Sequence, residues 1–161
     1  MSSHESGFAV PAGEALEEWN FGGDVLRLLL SAEQSGGVVS VIEGLAHGGG
    51  PPLHIHDNED EVVLVVAGRL AYRIGDSEGE IEPGGLLWMP RHIPHTVANL
   101  SATACRFLTI AMPGGIEVMF RAQSRYLSNL PGGAVPDPEA MARLEGADTR
   151  RAVGPPLSNT R

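Results

Sequence analysis

The chain contains no lysine; all eleven basic residues are arginine. That excludes Schiff-base catalysis, a phosphate-loop lysine and a Ser–Lys dyad. The only cysteine is Cys105, which excludes an internal disulfide, a cysteine-rich zinc site and an iron–sulfur cluster held by one chain. Positive charge is scarce overall: 11 arginines face 20 acidic residues, for a formal charge of −9. This opposes a phosphate backbone and an anionic membrane surface, so neither nucleic acid nor membrane is expected as a partner. No apolar run approaches the roughly 20 residues of a spanning helix. The opening MSSHESGFAV lacks the basic and apolar stretches of a secretory leader, so the expected setting is cytoplasmic.

What is present is an ordinary globular composition. With 161 residues, 42% hydrophobic and 19% charged, the chain is long enough for one domain around one core. Three regions follow from the pattern: an irregular arm over 1–24, a β-rich region over 25–112, and a helical segment with a tail over 113–161. Within 25–112, short segments rich in valine and isoleucine alternate with glycine, proline and acidic turns. They predict an all-β sandwich or barrel rather than βαβ units. Strands are expected at 25–31, 37–44, 53–56, 60–67, 69–75, 80–82, 86–89, 95–99 and 104–112. Segment 62–67 is apolar at both parities, so it should be covered on both faces, by the arm, a C-terminal helix or a second subunit. After Met112 the period becomes helical: Ile116, Met119, Phe120, Gln123, Leu127 and Leu130 share one face. A second helix is expected with Asp137 as N-cap and Pro138 at its first position. Residues 147–161 read as a polar tail.

The histidines carry the chemistry. Five of six lie between 47 and 95, and His4 falls in the arm. His54 and His56 are separated by one residue, so on a strand both point to one face, roughly 6.6 to 7 Å apart along the chain. Glu61 begins the next apolar segment and His95 follows Pro94. Three imidazoles and one carboxylate suit a divalent Fe, Mn, Ni, Cu, Co or Zn ion, and are too nitrogen-rich for Mg or Ca.

The run Gly48-x5-His54-x-His56-x4-Glu61-x6-Gly68 resembles the first cupin motif, and Gly84-x5-Pro90-x-His92-x2-His95-x3-Asn99 the second, with His92 where glycine is usual. The resemblance covers about 48–99. It implies a double-stranded β-helix, or jelly-roll, barrel with one or two C-terminal helices, and a homodimer. It also implies one transition metal ion held by His54, His56, Glu61 and His95. More narrowly, the chain is similar to quercetin-dioxygenase-like and polyketide-tailoring bacterial cupins. That likeness implies a dioxygenase-type oxidoreductase acting on a small aromatic, flavonoid or polyketide-like metabolite. The alternatives are a non-redox cyclase or isomerase of secondary metabolism, or a module that binds metal or a small ligand without turnover. In flavonol-cleaving relatives the glutamate is both ligand and base, which implies both roles for Glu61.

Several further residues are open. Asp60 would fit a shorter form of the first motif, but aspartate is the less usual residue there; Asp57, Glu59 and Asp60 read as solvated acids. Glu43 shares parity with Val39 and Val41, and is a candidate base if that face looks inward. Tyr72 and Trp88 are either pocket walls or barrel core. His92 reads as facing solvent or as a proton shuttle, and His47 as flanking the barrel mouth. Cys105 reads as a small buried hydrophobe, and Gly44, Gly68 and Gly84 as turn positions. Gly75-Asp76-Ser77-Glu78-Gly79 matches the spacing of a nucleophile elbow, but the following Glu80-Ile81-Glu82-Pro83 is not a helix, so it reads as a hairpin turn.

Overall fold

The computed structural model describes residues 7–132 and 134–159; His4 lies outside them. Eleven strands form two antiparallel sheets. They are β1 (Glu17–Phe21), β2 (Asp24–Leu30), β3 (Ser40–Ala46), β4 (Pro52–His56), β5 (Asp60–Ala67), β6 (Leu70–Ile74), β7 (Ser77–Ile81), β8 (Leu86–Met89), β9 (His95–Ala98), β10 (Cys105–Met112) and β11 (Arg150–Pro156). One sheet runs β1-β2-β3-β10-β5-β8 and the other β11-β4-β9-β6-β7. The crossovers between sheets make this the all-β jelly-roll expected from the strand pattern. The helices are α1 (Ala32–Ser35), α2 (Glu117–Ser128) and α3 (Pro138–Ala142). Asp137 caps α3 by accepting from the Glu139 amide, with Pro138 at its start.

Glycine sets two of the tight connections: Gly68 and Gly84 have φ of 79° and 86°, a region closed to most side chains. Gly44 differs from expectation. It lies inside β3, and a Cβ there would meet the Phe107 ring at 2.2 Å, so close approach rather than a turn demands glycine. Gly75 and Asp76 form the β6–β7 hairpin turn, and Ser77 opens β7, as expected of an exposed turn.

The two ends of the chain are built into the sheets. β1 pairs with β2 along its length. Within the expected polar tail, 150–156 forms β11, paired with β4. The Asp57 amide donates to the Thr149 carbonyl, and Arg151 forks onto the Asp57 carboxylate. An edge left open on β4 would carry unpaired amides and carbonyls, and β11 satisfies them.

The core has two parts. Trp19, Leu28, Ile42, Ala111, Ile116 and Met119 pack α2 against the six-stranded sheet. Val63, Val65, Leu70, Leu87, Met89 and Cys105 fill the barrel between the sheets, with Tyr72 packed against them. Tyr72 is thus barrel core, and Cys105 is fully buried. Glu117 ties α2 to β3 and α1: its carboxylate accepts from Ser40 Oγ (2.6 Å), the Ala32 amide (2.7 Å) and the Gly115 amide (3.2 Å).

The outer face of the six-stranded sheet is apolar around β5, β8 and the adjoining part of β10, and among the described residues this part is open. Val62, Leu64 and Val66 project from β5 opposite to Val63 and Val65. Leu64 is in register with Leu108 and Leu86, and Val62 with Ile110 and Trp88. Val66, Leu86 and Trp88 are 41%, 57% and 49% exposed. Trp88 therefore lines neither pocket nor core. The arm is paired into the sheet edge at β1 and α2 packs on the inner side, so neither covers this face.

Candidate metal centre

His54 and His56 come from β4, His95 from β9, and Glu61 from β5 in the facing sheet. The site therefore bridges the two layers. Strand parity directs His54 and His56 inward together, and register places His95 opposite His54. The three ring centroids lie 4.7 to 5.1 Å apart. One ligand atom from each of the four residues falls within 4.8 Å of the others, and all four side chains are buried. The group that the sequence singled out is thus assembled at one place, and it could hold a metal ion.

Hydrogen bonding orients each ring. His54 Nδ1 lies 2.7 Å from the Pro52 carbonyl and His95 Nδ1 2.9 Å from the Ile93 carbonyl. Carbonyls only accept, so each Nδ1 carries the proton and leaves Nε2 with a lone pair in the neutral ring. His56 Nδ1 meets the Glu59 carboxylate at 3.3 Å, with the same consequence. Glu61 Oε2 then lies 3.2 Å from His95 Nε2 and 3.5 Å from His56 Nε2. In neutral rings these are acceptors facing an acceptor, an arrangement that needs a cation or a proton between them. His56 Nε2 is buried without a hydrogen-bond partner. Orphaned buried nitrogens are rare in folded proteins. Both observations fit a divalent transition ion in an N₃O site.

Electrostatics agree. Burial pushes the His54 imidazole down to about 2, and the Arg150 guanidinium, His95 and His56 push the same way against the Pro52 carbonyl, so the ring is neutral at neutral pH. Burial opposes ionisation of Glu61. A proton shared with His95 Nε2, and then positive charge on the surrounding imidazoles, would more than offset it and bring the carboxyl to about 2. A neutral imidazole and an ionised carboxylate are the forms that bind metal.

Two acids depart from their sequence reading. Glu59, expected to be solvated, is 4% exposed because its carboxylate turns under His56. Glu43 does not face the site. It is in register with Leu108 and so with Leu64, on the face opposite Glu61 and Val63. Its carboxylate pairs with Arg106 at 2.7 Å and Arg27 at 3.5 Å on the outside of the sheet. On β3 it is Ile42, not Glu43, that takes the inward side.

Asp60 turns outward and accepts from Arg91 Nε (3.0 Å), Nη2 (2.8 Å) and the Arg91 amide (2.8 Å). Asp57 is exposed, as expected. His92 is exposed with φ 67°; its amide donates to the His56 carbonyl at 2.8 Å. The backbone thus takes the left-handed turn for which glycine is usual in the second motif. His47 is exposed beside Asp24.

One residue at the site had no sequence signal. Arg150 opens β11, in register with His56, and its Nη2 lies 3.3 Å from His54 Nδ1. It sits in a segment read as a tail, more than ninety positions from the histidine it touches.

Residues 41–111 match the family model described as the cupin domain. The matched segment covers the central strands of the two-sheet barrel, so this region of the chain is similar to cupin domains. Solved structures agree on the fold. An RmlC-like cupin from Shewanella frigidimarina is 17% identical, over 69% of this chain and 96% of that one, with a TM-score of 0.56. The Streptomyces protein PAC13 with uridine is 12% identical, over 67% and 83%, with a TM-score of 0.54. The polyketide cyclase RemF from Streptomyces resistomycificus is 24% identical, over 55% and 64%, with a TM-score of 0.49. The first two, with TM-scores above 0.5, show a likeness of fold alone. No curated protein matches the chain.

Proposed function

We propose that His54, His56, Glu61 and His95 hold one divalent transition metal ion, and that this centre serves an enzyme acting on a small oxygen-bearing organic molecule. The observation that carries the reading is the trio of Nδ1 atoms engaged by Pro52, Glu59 and Ile93, which leaves the Nε2 lone pairs facing Glu61. When bound, the ion supplies Lewis acidity that lowers the pKa of a substrate hydroxyl or enol.

The protein's own part is to exclude water and hold the reacting groups. Val63, Met89 and Leu70 wall the barrel interior from solvent. Glu61 is anionic at neutral pH and so accepts rather than donates a proton. A substrate hydroxyl whose pKa a bound ion had lowered could pass its proton to the Glu61 carboxylate. Glu59 keeps its carboxylate on His56 Nδ1 and fixes that ring's orientation. Glu43, on the outer face, takes no part.

The reaction class we assign is a dioxygenase-type oxidation of an aromatic, flavonoid or polyketide-like metabolite in the cytoplasm. The full three-histidine, one-glutamate set is its support, because that is the set that redox cupins carry. Iron, nickel, manganese and cobalt forms are to be tested for oxygen uptake with flavonols and other polyphenols. Uptake supports the assignment. No uptake with any metal, together with anaerobic turnover by a zinc form, replaces it with non-redox cyclisation or isomerisation. Protein that holds metal yet turns over nothing is a binding module.

We also propose a homodimer in which a second copy covers the outer face of the six-stranded sheet. A contiguous apolar face with an exposed tryptophan on the edge strand β8 supports this. Sizing chromatography at the monomer mass would remove it.

A further inference from the structure

Arg150 is a cation placed where cations are unwelcome. Its side chain shares the inward face of the five-stranded sheet with His56, across the β11–β4 register. Nη2 lies 3.3 Å from His54 Nδ1, and Nη1 lies 3.9 Å from the Met119 sulfur. The first contact is not a hydrogen bond: His54 Nδ1 already donates to Pro52, and a guanidinium has only donors. A thioether sulfur is a weak acceptor. Arg150 forms no ion pair among the described residues, whereas other arginines pair with acids towards the surface, such as Arg151 with Asp57 and Arg121 with Glu17. Glu61 and Glu59 are near enough to act on its charge but not to bond it.

The Arg150 guanidinium therefore keeps unfilled donors beside the His54–His56–Glu61–His95 cluster. A low-dielectric interior makes an unmatched charge costly, and a planar five-donor fork is matched by a carboxylate. We propose that Arg150 is a specificity-determining residue: the site takes an acid, and the carboxylate of that substrate seats on Arg150 while its neighbouring oxygen faces the His54–His56–Glu61–His95 cluster. This rests on the metal reading above and narrows its substrate class to aromatic or polyketide-like acids.

Salicylate and salicylamide offer the same ring and hydroxyl with and without the carboxylate charge. Titration calorimetry of the zinc-loaded protein, with zinc content measured afterwards, compares them. Wild type is expected to bind salicylate tighter by on the order of ten- to a hundredfold. Arg150→Gln erases that preference with zinc retained, Arg150→Lys keeps part of it, and Arg151→Gln leaves it whole. Three results overturn the proposal: a preference that survives in zinc-replete Arg150→Gln, zinc-replete wild type with no preference or no binding of either probe, or loss of zinc from Arg150→Gln, which would make the residue a support for His54. Wild type that takes up no zinc instead overturns the metal reading itself.

Discussion

Strand β5 shows two regions of the molecule on one backbone. Glu61, Val63 and Val65 look into the barrel, where the first joins the histidine cluster and the others fill the core. Val62, Leu64 and Val66 look out onto an open sheet face beside Leu86 and Trp88. By composition the two sides are nearly alike. They differ in what opposes them. Inside, a second sheet removes water, so every polar atom must find a partner, and His56 Nε2 stands out because it has none. Outside, no element among the described residues opposes the face, and apolar area is left for another surface to bury. Glu43 and Glu59 make the same point with opposite outcomes. The acid on an apolar strand is outside with arginines, and the acid in a polar turn is inside under a histidine.

The comparison can be broken most severely at the cluster. His95→Ala should reduce metal affinity by about a hundredfold or more, since it removes a ligand and leaves Glu61 facing empty space. Elemental analysis showing full metal in that variant would end the inside reading. Glu59→Gln is next. It removes the carboxylate that holds His56 Nδ1 and should weaken metal binding by about 10- to 100-fold, while Asp57→Asn, on an exposed acid of the same turn, leaves it unchanged. Competition with a chelator measures both. On the outside, Trp88→Asp should shift sizing chromatography to the monomer without changing metal content. Loss of metal in that variant would show that the two faces are not independent.

The smallest effect concerns the rim between them. Arg91, through its side chain and its amide, brings the Asp60 carboxyl down to about 2 from 3.8. A carboxyl depressed on folding stabilises the native state above its unfolded pKa, so this contribution is whole above pH 4 and is lost as pH falls from 3.8 towards 2. Asp60→Asn should therefore lower the melting temperature at neutral pH and flatten its decline below pH 4. An unchanged acid limb would show that the pair contributes nothing.

Much of the site was legible before folding was considered. His54 and His56 share a face because strands have a period of two, and Glu61 and His95 stand at the turns and strand starts that cupin spacing marks. The strands over 25–112 were legible from valine-rich runs between glycine and acidic turns. Other assignments were out of reach. Parity says which residues share a face but not which face is inward, so Glu43 and Trp88 were open until register placed them. Gly44 looked like a turn because nothing in the sequence announces the Phe107 ring across the strand.

The order of residues alone determined the donor set: three imidazoles and a carboxylate at strand-compatible intervals, in a chain without lysine or paired cysteines. Only the tertiary structure decided the rest. It tucked Glu59 under His56, turned Asp60 out to Arg91, and brought Arg150 across from the far end of the chain to His54. The physical reason is range. Periodicity is a property of neighbours along the backbone, whereas desolvation and charge pairing depend on what the other sheet places opposite.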